Sequence, residues 1–345
     1  MRHMTRVPGP VEALERIAYL LERGRAESYK VRAFRRAALA VAALDPTHLR
    51  AMNKSGRLAQ IPGVGETSAR IITEALSGAT PTYLLELEHR SGPALSEMAN
   101  ALRSAIQGDC HSHSDWSDGG SPVKVMAEAA ASLGHAYLAM TDHSPRLTIA
   151  NGLTAERLRR QLDLVEKLNA ELGPFRILTG IEVDILEDGT LDQEDDLLGR
   201  LDVVVASVHS KLRMESPEMT RRMVRAIENP HSDILGHCTG EIIVGRGRKP
   251  STFDPEEVFA ACARTGTAVE INSRPERRDP PAELLRLAVG AGCYVCIDTD
   301  AHAPGQLEWI GLGCEQAAEA GVDPAKVVNS WDIDGLLNWT GSHGN

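Results

Sequence analysis

Residues 108–119 read GDCHSHSDWSDG. Two histidines stand one residue apart and an aspartate follows five beyond the second, so a short stretch concentrates side chains that bind protons and metals. A solvated loop can carry such residues without purpose, and an isolated His-x-His is a weak metal signal. Its meaning rests on whether partners recur at equivalent places along the chain.

They do. Beyond residue 105, short apolar runs alternate with helical segments at the spacing of a βα unit. The runs are roughly GDCHSHS, YLAMTDH, ILTGIEVDI, DVVVASVHS, DILGHCTG, AVEINS and YVCIDTDAH, with helical stretches such as SPVKVMAEAAASLG and DPEEVFAACARTG between them. Seven strands separated by helices point to a parallel β/α barrel, whose functional groups belong at the carboxy ends of its strands. Six runs end in candidate ligands: His111 and His113; His143; Glu182; His209; His237; and Asp300 with His302, while Asp118 follows the first run. His135 and His231 precede their strands, at the opposite barrel end, and read as structural. His3, His48, His89 and His343 read as surface residues.

Imidazole and carboxylate suit Zn, Mn or Fe, and nine such groups exceed what one ion can use. More than one metal is therefore expected. Close-spaced divalent ions clamp a phosphate, polarise its P–O bonds and acidify a shared water, so phosphoester hydrolysis is the chemistry this set suits.

The amino-terminal part has a different character. From Val11 to about Arg103 apolar residues recur at three and four, as in VEALERIAYLLERG and YKVRAFRRAALAVAAL, and Gly24, Pro46 and Pro81 mark breaks between helices. IPGVG at 61–65, followed by ETSARIITEAL, has the form of a helix-hairpin-helix. Gly63 and Gly65 permit a tight turn and a close backbone approach, and the following helix offers free N–H groups that attract phosphate. The motif alone leaves open whether it touches a ligand or merely joins two packed helices. The basic run RGRAESYKVRAFRR at 23–36 tips the balance toward DNA, with Lys30, Arg32 and Arg35 as candidate backbone contacts beside Gly63 and Gly65.

Composition sets the frame. A chain of 345 residues, 42% apolar and 25% charged, is ordinary for a soluble globular protein and long enough for two domains, placed at 1–105 and 106–345. Net charge is −11, but residues 1–105 hold 15 Lys and Arg against 10 Asp and Glu, while the remainder holds 22 against 38. No apolar run approaches a membrane span, and the opening MRHMTRVPGP lacks the hydrophobic middle of a secretion signal, so the cytoplasm is the expected compartment. Six scattered cysteines form no compact framework; Cys293 and Cys296, a C-x-x-C in the apolar run CYVCI, read as strand residues with reduced thiols.

The ordered motifs GDCHSHSDWSDG, TDH, GIEVDI, SVHS, DILGHCTG, EINSRP and DTDAH resemble the polymerase and histidinol phosphatase (PHP) superfamily over about residues 106–340. Phrases such as LEDGTLD, MTRRMVRAIENP and DILGH resemble the PHP module of bacterial family-X DNA polymerases, and YKVRAFRRAA with IPGVG resembles the small helical domain that opens them. The resemblance implies a distorted seven-stranded β/α barrel with three metals. His111, His113, Glu182 and Asp300 would hold the first; Asp118, His143 and His302 the second; Glu182, His209 and His237 the third, with Glu182 bridging. Asp118 stands where some members have histidine. Asp109 and Asp142 would orient the histidines, and Lys211, Arg246, Arg248 and Arg274 are candidate phosphate contacts, Lys211 and Arg246 foremost.

Two departures bear on activity. Only a short segment, SGPALSEMANALRSAIQ, stands where the nucleotidyltransferase module would be, and ETSARIITEAL lacks the lysine of lyase-competent members; neither polymerase nor lyase activity is expected. The leading expectation is a DNA 3′–5′ exonuclease or 3′-end processing enzyme in DNA repair. A small-molecule phosphatase acting on histidinol phosphate or a nucleotide, and a non-catalytic DNA-binding scaffold, are the alternatives. Oligomeric state is not legible.

Overall fold

The computed structural model describes residues 7–90 and 95–343. Two compact units divide the chain, residues 1–94 and residues 95–345.

The first unit is helical: α1 (Pro10–Arg23), α2 (Ser28–Ala42), α3 (Pro46–Lys54), α4 (Glu66–Leu76) and α5 (Thr82–His89). Pro10 starts α1, where a missing N–H costs nothing, and Glu12 reaches back to the N–H of Gly9 at 3.3 Å. Asp45 caps α3 by accepting from the N–H groups of Thr47 and His48 at 2.8 and 3.2 Å. Leu14, Ile17 and Leu21 of α1 and Val31, Phe34 and Val41 of α2, at helical spacing, join Ile71 and Ile72 of α4 in one core. Between α3 and α4 a 3₁₀ turn (Leu58–Gln60) leads into the hairpin, where Gly63 has φ +92° and an added Cβ would meet Arg36 Cγ at 2.9 Å. Only glycine fits that position.

The second unit begins with α6 (Glu97–Ala105) and continues as β1 (Gly108–Asp109), α7 (Val123–Ser132), β2 (Tyr137–Met140), α8 (Ala155–Glu171), β3 (Arg176–Asp184), α9 (Asp195–Leu198) and β4 (Val203–Ser207). It ends with α10 (Ser216–Ile227), β5 (Ile234–Leu235), α11 (Pro255–Thr265), β6 (Ala268–Asn272), α12 (Ala282–Gly290), β7 (Val295–Asp298), α13 (Ile310–Ala320) and α14 (Ile333–Thr340). The boundary expected at 105 falls earlier because Ala99 and Leu102 of α6 pack with Ile310, Cys314 and Ala317 of α13.

All strand pairs are parallel and neighbours follow chain order from β1 to β7. A bridge between Ser112 and Ala301, just beyond β1 and β7, brings the two edges together into a nearly closed barrel. Strand alternation sorts the side chains. Val204 and Ala206 of β4 and Ile181 and Val183 of β3 pack outward among helices, whereas Val203 and Val205 join Tyr137, Ala139, Leu178, Ile234, Ala268 and Cys296 in the interior. Leu336 and Trp339 of α14 cover this interior cluster. His343 follows α14 and is not a surface residue: its Nδ1 lies 2.8 Å from Asp233, behind β5. His135 is buried, as expected of a structural histidine, and burial, then the charge of Arg103, lowers its pKa to about 4. His48 and His89 are exposed, and His3 lies outside the described residues. All six cysteines are buried and free.

Candidate metal centre

The same alternation that fills the barrel interior places Glu182 one inward step beyond Gly180 on β3 and directs it to the strand ends. Five imidazoles surround its carboxylate. His209 Nε2 and His237 Nε2 lie 3.1 and 2.9 Å from Oε1; His143 Nδ1, His111 Nε2 and His113 Nε2 lie 2.8, 3.3 and 3.5 Å from Oε2. Two further carboxylates complete the rim. Asp118 Oδ1 is 3.5 Å from His143 Nε2 and 3.3 Å from His302 Nε2, and Asp300 Oδ1 is 3.4 Å from His113 Nε2 and 3.5 Å from His302 Nδ1. The structure thus brings all nine expected ligands to one place. Three of the groups able to hold an ion fall here: His111, His113 and Glu182; His113, Asp118, His143 and His302; and His143, Glu182 and His209.

Whether cations fit can be tested on the rings themselves. His111, His113, His143, His209 and His237 each keep a buried ring nitrogen with no hydrogen-bond partner. An unsatisfied buried polar atom costs roughly 1–3 kcal/mol, and four of them, His111 Nε2, His113 Nε2, His143 Nδ1 and His209 Nε2, face one carboxylate, more than packing explains. Divalent cations satisfy these lone pairs, and the donor set of imidazole and carboxylate is of the right chemistry.

The charges are arranged to hold the carboxylates ionised. Burial opposes charge on Glu182, but His209, His111 and His143 outweigh it and hold its pKa well below the usual carboxylate range. Burial is likewise outweighed at Asp300, chiefly by Arg274, and at Asp118 by His302, so both are lowered. His113 shows the opposite balance: burial, then His302 and His143, push it well below the ordinary histidine value, favouring a neutral ring with one nitrogen lone pair to give. Asp300 sits at φ +51°, a conformation uncommon outside glycine, which turns its carboxylate toward the rings.

Two carboxylates outside the expected set matter here. Glu270, in the middle of β6, is fully buried with Oε1 2.5 Å from His111 Nδ1, while its Oε2 accepts from the N–H of His237 at 2.5 Å and from Asn272 Nδ2 at 3.2 Å. It fixes the far side of one imidazole and the backbone of another, the arrangement that orients histidines around metals. Asp184 does the same for His209, accepting from its N–H at 3.1 Å with Nδ1 at 3.5 Å. Both lie on the inward alternation of their strands, Ala268-Glu270-Asn272 and Gly180-Glu182-Asp184, and that period of two was the signal available in the sequence.

Four expected catalytic residues take other places. Asp109 touches no imidazole ring. It joins the strands by accepting from the N–H of His111 at 3.1 Å and from the N–H of Thr299 at 3.3 Å, with the Thr299 hydroxyl also donating; burial raises its pKa to about 6. Asp142 also orients a loop rather than a ring, accepting from Ser114 N and Oγ at 2.9 and 2.6 Å, Ser117 N and Oγ at 3.1 and 2.5 Å, and Gln161 Nε2 at 2.6 Å. Lys211 is exposed and faces Glu187 at 3.9 Å, and Arg246 is exposed on the loop after His237. The cations that do reach the centre are Arg274, whose Nη1 is 3.2 Å from Asp300 Oδ1 and 3.1 Å from His302 Nδ1, and Arg277, whose Nε is 3.3 Å from Asp300 Oδ2.

In the helical unit Lys30 and Arg32 are exposed, while Arg35 turns inward and makes two bonds to the buried Glu22, at 2.8 and 2.9 Å. Gly63 and Gly65 form the hairpin, Gly65 preceding α4 as its cap. Among the described residues no helix is long and apolar enough to cross a membrane.

Comparison with known proteins agrees with this division. Residues 7–80 match the helix-hairpin-helix domain family and residues 109–273 the PHP domain family. The chain is 42% identical over 225 residues to the DNA polymerase/3′-5′ exonuclease PolX of Bacillus subtilis, covering 65% of this chain and 39% of that relative, so it spans about two fifths of the relative's length. It is 28% identical over 242 residues to a probable phosphatase of Syntrophotalea carbinolica, covering 67% of this chain and 94% of the other. The histidinol phosphate phosphatase of Lactococcus lactis, solved with zinc, L-histidinol and phosphate, superposes with a TM-score of 0.46 at 17% identity over 63% of this chain and 95% of that one. The chain thus carries a PHP domain at residues 109–273, following a helix-hairpin-helix domain at residues 7–80.

Proposed function

We propose that the substrate is DNA, hydrolysed from a 3′ end at a centre holding three divalent cations, Mn, Zn or Fe. The observation that carries the hydrolytic part is Glu182 ringed by five imidazoles with unsatisfied nitrogens. His111, His113, Glu182 and Asp300 would hold one ion, Asp118, His143 and His302 a second, and Glu182, His209 and His237 a third. Cations bound there polarise the P–O bonds and acidify a water. The chain's own residues do the rest: Glu270 and Asp184 keep the imidazoles aimed, Arg274 and Arg277 offer guanidinium donors beside Asp300 for a phosphate oxygen, and Asp142 holds the loop that carries Asp118. The preference for DNA is supported by the helix-hairpin-helix domain, with Lys30, Arg32 and the Gly63–Gly65 turn against the backbone, and by the likeness to the PolX relative.

A second reading, a small phosphate monoester as substrate, is favoured by the probable phosphatases, which match over most of their own length. Full-length protein with Mn, offered labelled single-stranded DNA and histidinol phosphate in parallel, separates the two. Shortening of the DNA from its 3′ end is expected; turnover of histidinol phosphate alone would replace the first reading with the second.

A further inference from the structure

The barrel is acidic overall, yet its cations are not evenly spread. The loops that follow β4 and β5 gather Lys211, Arg213, Arg246, Arg248 and Lys249 around a groove of about 740 Å³, lined by a single acid, Glu241. Arg213, Arg246 and Lys249 are exposed, and none of them, nor Arg248, has a carboxylate within ion-pair distance among the described residues. Lys211 meets only Glu187, at 3.9 Å with both side chains largely in water. Cations on protein surfaces ordinarily intersperse with acids. Here they collect and stay unneutralised.

The loop is also braced. Ile242 and Arg248 exchange backbone bonds of 3.0 and 2.8 Å, Gly245 and Gly247 turn the chain at φ +62° and +63°, and Ile243 N–H donates to the Glu276 carbonyl at 2.8 Å. Arg248 Nε donates to the Gly240 carbonyl at 2.6 Å, and Ser251 N–H to the Thr239 carbonyl at 2.8 Å. These positions are held in place before any ligand arrives, which lowers the ordering cost of binding one.

The groove adjoins the metal centre along the chain and through space. Lys211 lies two residues beyond His209, and Glu241 four beyond His237. Ile243 of the groove's loop is bonded to the Glu276 carbonyl, and the next residue, Arg277, reaches Asp300 Oδ2 at 3.3 Å, so one segment touches both loop and centre. Arg274 and Arg277 of that segment both meet Asp300, at 3.2 and 3.3 Å.

We propose that this groove is a subsite for the phosphodiester backbone of the substrate strand, seating phosphates next to the one presented to the metal centre. It rests on the reading of that centre as acting on DNA. A lone monoester cannot fill groove and centre together, so the subsite favours polymer over small ester.

The test uses the full-length, Mn-loaded protein and the double variant R213E/K249E, both residues exposed and unpaired. KM and kcat are measured over a salt series for a labelled single-stranded oligonucleotide and for bis(p-nitrophenyl) phosphate, with metal content and unfolding temperature alongside. The KM for DNA is expected to rise about tenfold with kcat nearly constant. Its log–log salt dependence should flatten by about 0.7 for each phosphate that the variant no longer neutralises. Wild-type protein that cuts DNA while the variant keeps the same KM and salt slope overturns the subsite alone, and so does an equal loss on both substrates. Wild-type protein that hydrolyses the small diester but neither binds nor cuts DNA overturns the DNA reading itself, and the subsite with it.

Discussion

The metal centre and the helical unit both bring charged residues together, but in opposite ways. At the strand ends of the barrel, six imidazoles and three carboxylates converge, and all but Asp118 are largely withdrawn from water. In the helical unit Lys30 and Arg32 remain in water, and Arg35, the third expected contact, is bonded to Glu22 inside the fold. Burying unpaired polar groups opposes folding and survives only where something offsets it. Exposed cations carry no such penalty and so carry less information. The centre therefore announces a ligand by its geometry, while the helical unit's partner is argued from a turn and a charge balance.

The comparison breaks most sharply at Glu182. E182Q removes the charge that five imidazoles share, and hydrolysis of a chromogenic phosphate ester should fall on the order of a thousandfold, several kcal/mol of transition-state stabilisation, with metal content falling alongside. Retained activity and metal would mean that the rings are packing, not ligands. Next comes D142A, which leaves the donors of Ser114, Ser117 and Gln161 without their acceptor. Urea unfolding of the barrel should show a loss of about 3 kcal/mol, and an unchanged midpoint would show that the loop does not depend on this carboxylate.

E270Q sharpens the distinction between holding a metal and orienting what holds it. Metal affinity should weaken roughly 10–100-fold, and excess Mn should restore most of kcat, because the ligands themselves are intact. Unaltered affinity in a metal titration would assign Glu270 to packing. The smallest effect is expected at the hairpin. G63A forces a Cβ against Arg36 at φ +92° and should destabilise the helical unit by about 1 kcal/mol, while weakening DNA binding in a fluorescence anisotropy titration. DNA affinity equal to wild type would remove the turn from the proposed interface.

Much of the barrel was legible because its signals are local. The seven apolar runs became seven parallel strands in chain order, and the polar residues that ended them share one rim. Glu270 is hidden from a reading of strand ends because it stands inside a strand, in a run where a carboxylate is improbable unless it has a buried partner. Asp109 and Asp142 were expected beside histidine rings because they adjoin them in sequence; the fold turns them toward Thr299 and toward Ser114 instead. Lys211 and Arg246, near the ligands in sequence, line the neighbouring groove rather than the centre, whereas Arg277, which touches Asp300, has no such cue. The inward turn of Arg35 and the packing of α6 on the barrel depend on partners 13 and more than 200 residues away, which no spacing rule can reach.

The sequence by itself determined that the chain builds a helical unit and a parallel barrel, and that metal-binding side chains end its strands, because strand period and loop chemistry are properties of neighbouring residues. Only the tertiary structure decided that His209 and His237 share one oxygen of Glu182, that Glu270 stands behind His111, and that arginines from the loop after β6 reach the loop after β7. Those relations arise when the sheet closes and brings residues from distant strands within hydrogen-bond range, and closure is a property of the whole barrel.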